Sequence, residues 1–533
     1  METSPSAPPP DVAGSGHPDR WRILAILDLS LVLVVVAVSS LNVALPRLQS
    51  ALDASATDLQ WIVDAYALVF AGLLLPAGAL GDRFGRRGAL LSGLVIFGGA
   101  AIVASLADDP AQLIATRAAM GVGAALIMPA TLSIITTVFP VHERARAIAI
   151  WAGLAGAGGA IGPILSGVLL ENFWWGSVFF VNVPLVALTF VLVAVFVPTS
   201  RDIEEAALDP LGGLLSIVGL GGLVYAVIEG PEQGWTDPIT IGAFVGATAA
   251  IVAWILWELH TDRPMLDPRL FAIRGFSVGS GVITMAFFAM FGMFFLLTQY
   301  LQFVQGHSAL GAGVRTLPMP IVLMLVAPRS PMVVGRFGPR RTMAAGLVSV
   351  AVGFVVLATL APDSHYALLV AGLVPLAIGM GLLMPPATTT IVSSLPPAKA
   401  GVGSAVNDTT RELGGAFGIA VLGSILSSGY RSEIEPVASA LPGEAGEVAE
   451  ESIGGAVAVA GELGPQGAGL LEAAGRAFTD ASSNAYLVSA VVLVLTAASV
   501  WWFLAEDDAT GDEPAGATDV AHATIDGLGV AET

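Results

Sequence analysis

Residues 78–87 read Gly78-Ala79-Leu80-Gly81-Asp82-Arg83-Phe84-Gly85-Arg86-Arg87. This knot of charge and glycine separates two long apolar runs: Tyr66 to Leu80 before it, and the charge-free run from Ala89 to Ala107 after it. A tight turn with three arginines between two membrane-length helices must sit at a water–lipid interface, because charge is costly inside a bilayer. The arginine excess places it on the cytoplasmic side. Each small or charged residue has a use there. Gly78 and Gly81 let helices approach closely. Gly85 permits a tight turn. Asp82 can cap a helix N-terminus or accept an arginine fork. A positive-inside hairpin with no further role is the plainer reading of the same residues.

The rest of the chain agrees with a membrane setting. Of its 533 residues 55% are hydrophobic and 12% charged, and the mean hydropathy is +0.80. Repeated apolar runs of about 20 residues indicate an all-α polytopic membrane protein. The alternation of a transmembrane barrel is missing. There is no cysteine, which excludes disulfides and thiolate metal sites. Residues 1–20 are polar and rich in proline and glycine, and the first apolar run is too long for a cleaved signal, so a disordered cytoplasmic tail is expected. The net charge of −20 argues against nucleic acid as a partner. Residues 429–484 and 506–533 hold 17 of the 42 acidic residues, with Arg431 and Arg476 as their only bases. Both stretches read as solvated segments.

Fourteen apolar spans can be marked, beginning with Trp21 to Leu45 and ending with Asn484 to Ala505. The fifth is Ala147 to Leu170, the seventh and eighth are Leu211 to Ile228 and Pro238 to Trp257, the tenth is Leu310 to Val334, and the thirteenth is Gly403 to Ser428. The inner segments then carry 15 of the 22 Lys and Arg residues and the outer segments 3. That bias sets both termini inside, in the cell membrane. Gly335-Arg336-Phe337-Gly338-Pro339-Arg340-Arg341, between spans ten and eleven, echoes the opening stretch, with Gly335 where the Asp would be. Treating spans seven and eight as an insertion gives two parallel six-helix halves. The expected units are an N-tail (1–20), a first half (21–198), an insert with its inner linkers (199–274), a second half (275–505) with an outer acidic loop (429–483), and an acidic C-tail (506–533).

The opening stretch resembles the loop between the second and third helices of the major facilitator superfamily. The resemblance, from about Trp21 to Ala505, is to its fourteen-span drug:proton antiporter branch. It implies that Gly78, Asp82, Arg83, Gly85, Arg86 and Arg87 form a latch closing one side of the transporter. Arg117-Ala118-Ala119-Met120-Gly121-Val122-Gly123 resembles a family motif built on a buried arginine, which usually has Gln where Met120 stands. Read from the residues, Arg117 either faces the bundle interior and finds a partner or snorkels to the outer interface. Gly158-Gly159-Ala160-Ile161-Gly162-Pro163-Ile164-Leu165-Ser166-Gly167 resembles the antiporter motif. Gly158, Gly162, Pro163 and Gly167 are implied as its hinge, and the motif separates exporters from importers. Trp61 to Tyr66 and Asn407 to Gly415 resemble the family's second and thirteenth spans. The family often carries an Asp in the first span, five residues before the Asn of Asn42-Val43-Ala44-Leu45-Pro46. Ala37 stands there, and Asp28 lies nearer the inner end, where it reads as an interface residue.

All six histidines lie outside the spans, so proton coupling falls to carboxylates: Asp28, Asp64, Glu229, Asp408 and Glu412. Asp64 leads, with a permanent pair to Arg117 as its alternative. Asp408 and Glu412 share a face of span thirteen beside Arg411, either as a proton site or as an inner-gate ion pair. Glu229 is expected at the outer surface. The Phe- and Met-rich stretch Phe287 to Gln299 suits either an adaptable cavity wall or a lipid-facing stripe. No phosphate-binding loop is present. The expectation is therefore a non-enzymatic monomeric exporter of small lipophilic compounds, cations among them, that is driven by the proton gradient and needs no cofactor. An exporter dedicated to one metabolite is the alternative, and a membrane receptor or enzyme a remote one.

Overall fold

A computed structural model describes residues 16–54, 56–200, 209–261, 264–395, 400–442 and 445–504. Most of the expected N-tail, the C-tail and part of the inner linker before the insert lie outside the described residues.

The first half holds α1 (Arg20–Leu52), α2 (Ala56–Phe84), α3 (Arg86–Ser105), α4 (Pro110–Val138), α5 (Val141–Asn172), the short α6 (Ser177–Phe180) and α7 (Asn182–Phe196). The insert is α8 (Pro210–Gln233) and α9 (Pro238–His260). The second half holds α10 (Arg274–Gln299), α11 (Ala309–Thr316), α12 (Pro318–Val326), α13 (Ser330–Phe337), α14 (Pro339–Leu357), α15 (Tyr366–Ser393), α16 (Ala400–Ala438), α17 (Ala445–Glu451), α18 (Ile453–Leu463) and α19 (Ala468–Phe503).

Asp-Pro dipeptides start several of these helices. Asp109, Asp209 and Asp237 each accept a backbone N–H of the first turn, and Pro110, Pro210 and Pro238 fill the position where no N–H is needed. Among the described residues thirteen helical stretches are long and apolar enough to cross a membrane. Of the fourteen expected spans, α5 alone is not among them; it contributes the shorter apolar stretch Ile161–Asn172.

The interior divides into two apolar cores. One is built from α1–α7 around Leu27, Phe97, Ile134 and Trp151. The other is built from α10–α19 around Phe276, Met293, Phe354 and Leu373. Leu220 and Trp254 of the insert, and Leu75 of α2, belong to the second core. The insert thus leans on the seam between the halves. Gly72 of α2 packs on Ile217 of α8, Trp61 stacks on Tyr225 with centroids 6.1 Å apart, and the Trp235 indole donates to Ser424 of α16 at 3.0 Å.

The tenth span is present as Leu310–Phe337 but is segmented into α11, α12, a 3-10 turn and α13, because prolines 318, 320, 328 and 331 each remove a ladder hydrogen bond. One expectation needs correction. The outer segment 429–483 is a folded cap and not a solvated loop. α16 runs on to Ala438, α19 starts at Ala468, and α17 and α18 close them together. Tyr430, Ile434, Ala449, Ile453 and Leu470 are buried within it, and the Tyr430 hydroxyl donates to the Ala449 carbonyl at 3.0 Å.

Candidate functional site

The opening stretch forms the inner junction between the halves. Gly85, at φ +114°, ends α2 and caps α3 in a region that disfavours side chains. Asp82 is 3% exposed. It accepts Arg86 Nε at 2.8 Å and, from the other half, the backbone N–H groups of Gly401 and Val402 at 3.0 and 3.1 Å. One carboxylate therefore caps α16 while its charge is balanced by an arginine of its own half. A Cβ on Gly78 would sit 2.6 Å from the Gly401 carbonyl oxygen, so only glycine allows α2 and α16 this close. Gly81 meets only ordinary contact with Ala89. The four charged residues do not act alike. Arg87 donates to the Ala194 carbonyl within its own half, and Arg83 lies 5.4 Å over the Phe84 ring. The second copy repeats the backbone without the acid: Gly338 has φ +81°, and Arg336 lies 5.4 Å over Phe337.

A second group of residues lies within the spans. Arg117 is 1% exposed, so it faces the interior and does not snorkel. Its Nε donates to the Ile62 carbonyl at 3.0 Å, and its guanidinium lies 4.5 Å over the Tyr66 ring. Nη1 of Arg117 and the Tyr66 hydroxyl are buried without hydrogen bonds. At about 100° per residue, Asp64 falls on the far side of α2 from Tyr66. It shares a stripe with Asp82, five full turns away, on the side that meets α16 and α8. Arg117 thus binds the Ile62 carbonyl and faces the Tyr66 ring.

From the other half, α16 supplies Asn407, Asp408, Arg411 and Glu412. Asp408 is 1% exposed; it accepts Asn407 Nδ2 at 3.3 Å and Arg411 Nη1 at 3.5 Å. Asn407 in turn accepts Thr388 Oγ1 at 3.0 Å. Tyr66 lies against Arg117, and both α2 and α4 neighbour α16. Counted along α16, Arg411 lies about 12 Å from the start of its apolar span at Gly403. Two further acids are buried. Asp28 is 5% exposed, with Oδ1 unbonded, and Glu229, near the C-terminal end of α8, is 6% exposed.

The glycine-rich run on α5 has two working faces. A Cβ on Gly162 would collide with Ser39 Oγ and the Ser40 nitrogen of α1, and Gly158 packs on Val35. The opposite face meets the second half: Pro163 touches Gly313, and Gly167 touches Leu310. Sequence reasoning missed Tyr66, Trp151 and Thr388 as parts of the centre. Trp151 gave no signal of its own, because a tryptophan four residues into a span reads as an ordinary interface residue.

Relatives share this architecture. The chain is 38% identical, over 90% of its length and 95% of the relative, to the multidrug efflux pump LfrA of Mycolicibacterium smegmatis. It is 34% identical, over 91% and 99%, to the methyl viologen resistance protein SmvA of Salmonella typhimurium. It is 31% identical, over 92% and 93%, to the tetracenomycin C resistance and export protein of Streptomyces glaucescens. Its fold matches that of the human organic anion transporter MFSD10 with a TM-score of 0.60 at 14% identity, covering 90% of this chain and 100% of that one. The sequence profile of the Major Facilitator Superfamily matches residues 27–419. With two helical cores, a paired loop motif and this profile over most of its length, the chain is a multi-pass membrane transporter that belongs to the Major Facilitator Superfamily.

Proposed function

We propose that this chain exports lipophilic drugs or antibiotics, cations among them, in exchange for protons, by alternating access between its two halves within a monomer. The observation that carries the reading is a pair of buried and half-buried ionisable clusters on adjacent helices of opposite halves: Arg117 with Tyr66, and Asp408 with Arg411 and Glu412. A buried carboxylate holds a proton or a cation but not both at once, so the two compete for one place. Asp408, Glu412 and Asp64 lie along α2 and α16, the helices that separate when the inner junction at Asp82 opens. Arg117 tunes the centre, the α5 run is the hinge, and the Asp82 junction is the latch. The names of the relatives support efflux of drugs and antibiotics, and methyl viologen, a dication, supports cationic cargo. The proton gradient supplies the energy, and no cofactor takes part.

The test is dye efflux from energised cells with a permeant cationic dye. Wild type extrudes the dye, a proton uncoupler stops it, and Asp408→Asn, Glu412→Gln or Asp64→Asn lowers the rate at least tenfold while the protein still reaches the membrane. Efflux that survives the uncoupler would sink proton coupling. A wild type that ignores a panel of dyes yet exports one antibiotic would favour a dedicated exporter.

A further inference from the structure

Arg411 sits in a cleft made by rings from opposite halves. Its guanidinium carbon is 4.6 Å from the centroid of Phe287 on α10 and 5.7 Å from that of Trp151 on α5. Both rings are fixed: Phe287 is 3% exposed and Trp151 1%, and the Trp151 indole donates to Thr131 Oγ1 at 3.2 Å. The nearest acid grips the arginine weakly. Its Nη1 reaches Asp408 Oδ1 at 3.5 Å, the long limit of a hydrogen bond, and Asp408 Oδ2 is buried with no donor. Rings and not a bidentate carboxylate therefore hold this guanidinium. Counted from the inner ends of their apolar spans, at Ala147, Gly403 and Phe276, Trp151, Arg411 and Phe287 lie about 6, 12 and 16 Å in, between the inner boundary and the middle of a hydrocarbon core about 30 Å thick.

Two ring faces inside the membrane span, with the Asp408 carboxylate beside the cation they hold, are the chemistry that recognises flat or quaternary lipophilic cations. Here the chain's own cation occupies that place. We propose that the Trp151–Phe287 cleft is a substrate-cation subsite and that Arg411 is its built-in competitor. An entering lipophilic cation displaces the guanidinium, which then closes onto Asp408. The proposal rests on the export reading above and adds to it a site and a selectivity. A neutral lipophile gains no ring–cation attraction on displacing Arg411, so the arginine sets the ratio of cation to neutral binding. Because Trp151 belongs to one half and Phe287 to the other, a cation in the cleft also holds the seam together.

The experiment measures binding of tetraphenylphosphonium and of neutral triphenylphosphine oxide to the purified full-length protein. Arg411→Gln is expected to raise the affinity ratio, cation over neutral, about tenfold. Arg411→Lys, which keeps the charge, is expected to leave the ratio near that of wild type. In the Arg411→Gln background, Trp151→Leu or Phe287→Leu is expected to remove the gain, and Trp151→Phe to retain it. The neutral probe reports that each variant is folded. A gain that survives loss of either ring would be plain removal of a positive charge and would overturn the subsite, as would no gain at all. If wild type binds both probes and only the ratio fails to move, export stands and the subsite falls. If wild type binds neither, both fall.

Discussion

Asp82 decides more than any other single side chain. Replacing it with Asn keeps the shape but removes the charge that balances buried Arg86 and caps α16. Breaking a buried pair costs about 3–5 kcal/mol, so Asp82→Asn should shift the protein strongly towards the inward-open state. Cysteine cross-linking between the inner ends of α2 and α16 checks this; unchanged cross-linking would refute it. Glu143 offers a contrast at the same membrane face. It accepts Arg20 Nε at 2.5 Å, and that hydrogen bond holds its carboxyl below the usual carboxylate range. A depressed value means that the stabilisation is complete above about pH 4.3 and is lost as pH falls below it. The melting-temperature difference between wild type and Glu143→Gln should therefore stay constant from about pH 8 to 5 and close in stronger acid. Asp82, Gly85 and Arg117 were legible in the sequence because charge or glycine inside an apolar run has few uses. Tyr66 and Phe287 were not, because an aromatic residue in a span looks the same whether it faces lipid, core or a guanidinium.

Among elements, α5 is the one most exposed to a size test. Gly162 is pressed against Ser39 and Ser40, whereas a Cβ on Gly159 would meet nothing within 4 Å. Gly162→Val should abolish efflux with little loss of membrane protein, and Gly159→Val should keep most of it; equal effects would remove the hinge from α5. Span positions were readable from apolar length alone. The break of the tenth span was also readable, in the four prolines from 318 to 331. The outer cap was not. Its glutamates and alanines pointed to solvated helix, and its core forms only when α16 and α19 overrun the bilayer and bring Tyr430 against Ala449.

For the whole molecule the arginine bias argues for both termini inside, and the chain's lack of cysteine makes that topology easy to check. A single cysteine at Ser439, in the outer cap, should react in intact cells with a membrane-impermeant maleimide, and one at Val141 should react only after permeabilisation. The reverse pattern would invert the assignment.

Gly338 and Gly85 give the two halves the same turn at the same place, yet only the first carries an acid beside it. Gly335 stands where the second acid would be, and a Cβ there meets nothing within 4 Å. The pseudo-symmetric pair is therefore fastened on one side only, through Asp82. Gly335→Asp would restore the missing twin near the start of α5, which touches α13. A doubly bolted transporter should stay intact but turn over more slowly, so the asymmetry between the two turns governs how fast the inner side opens.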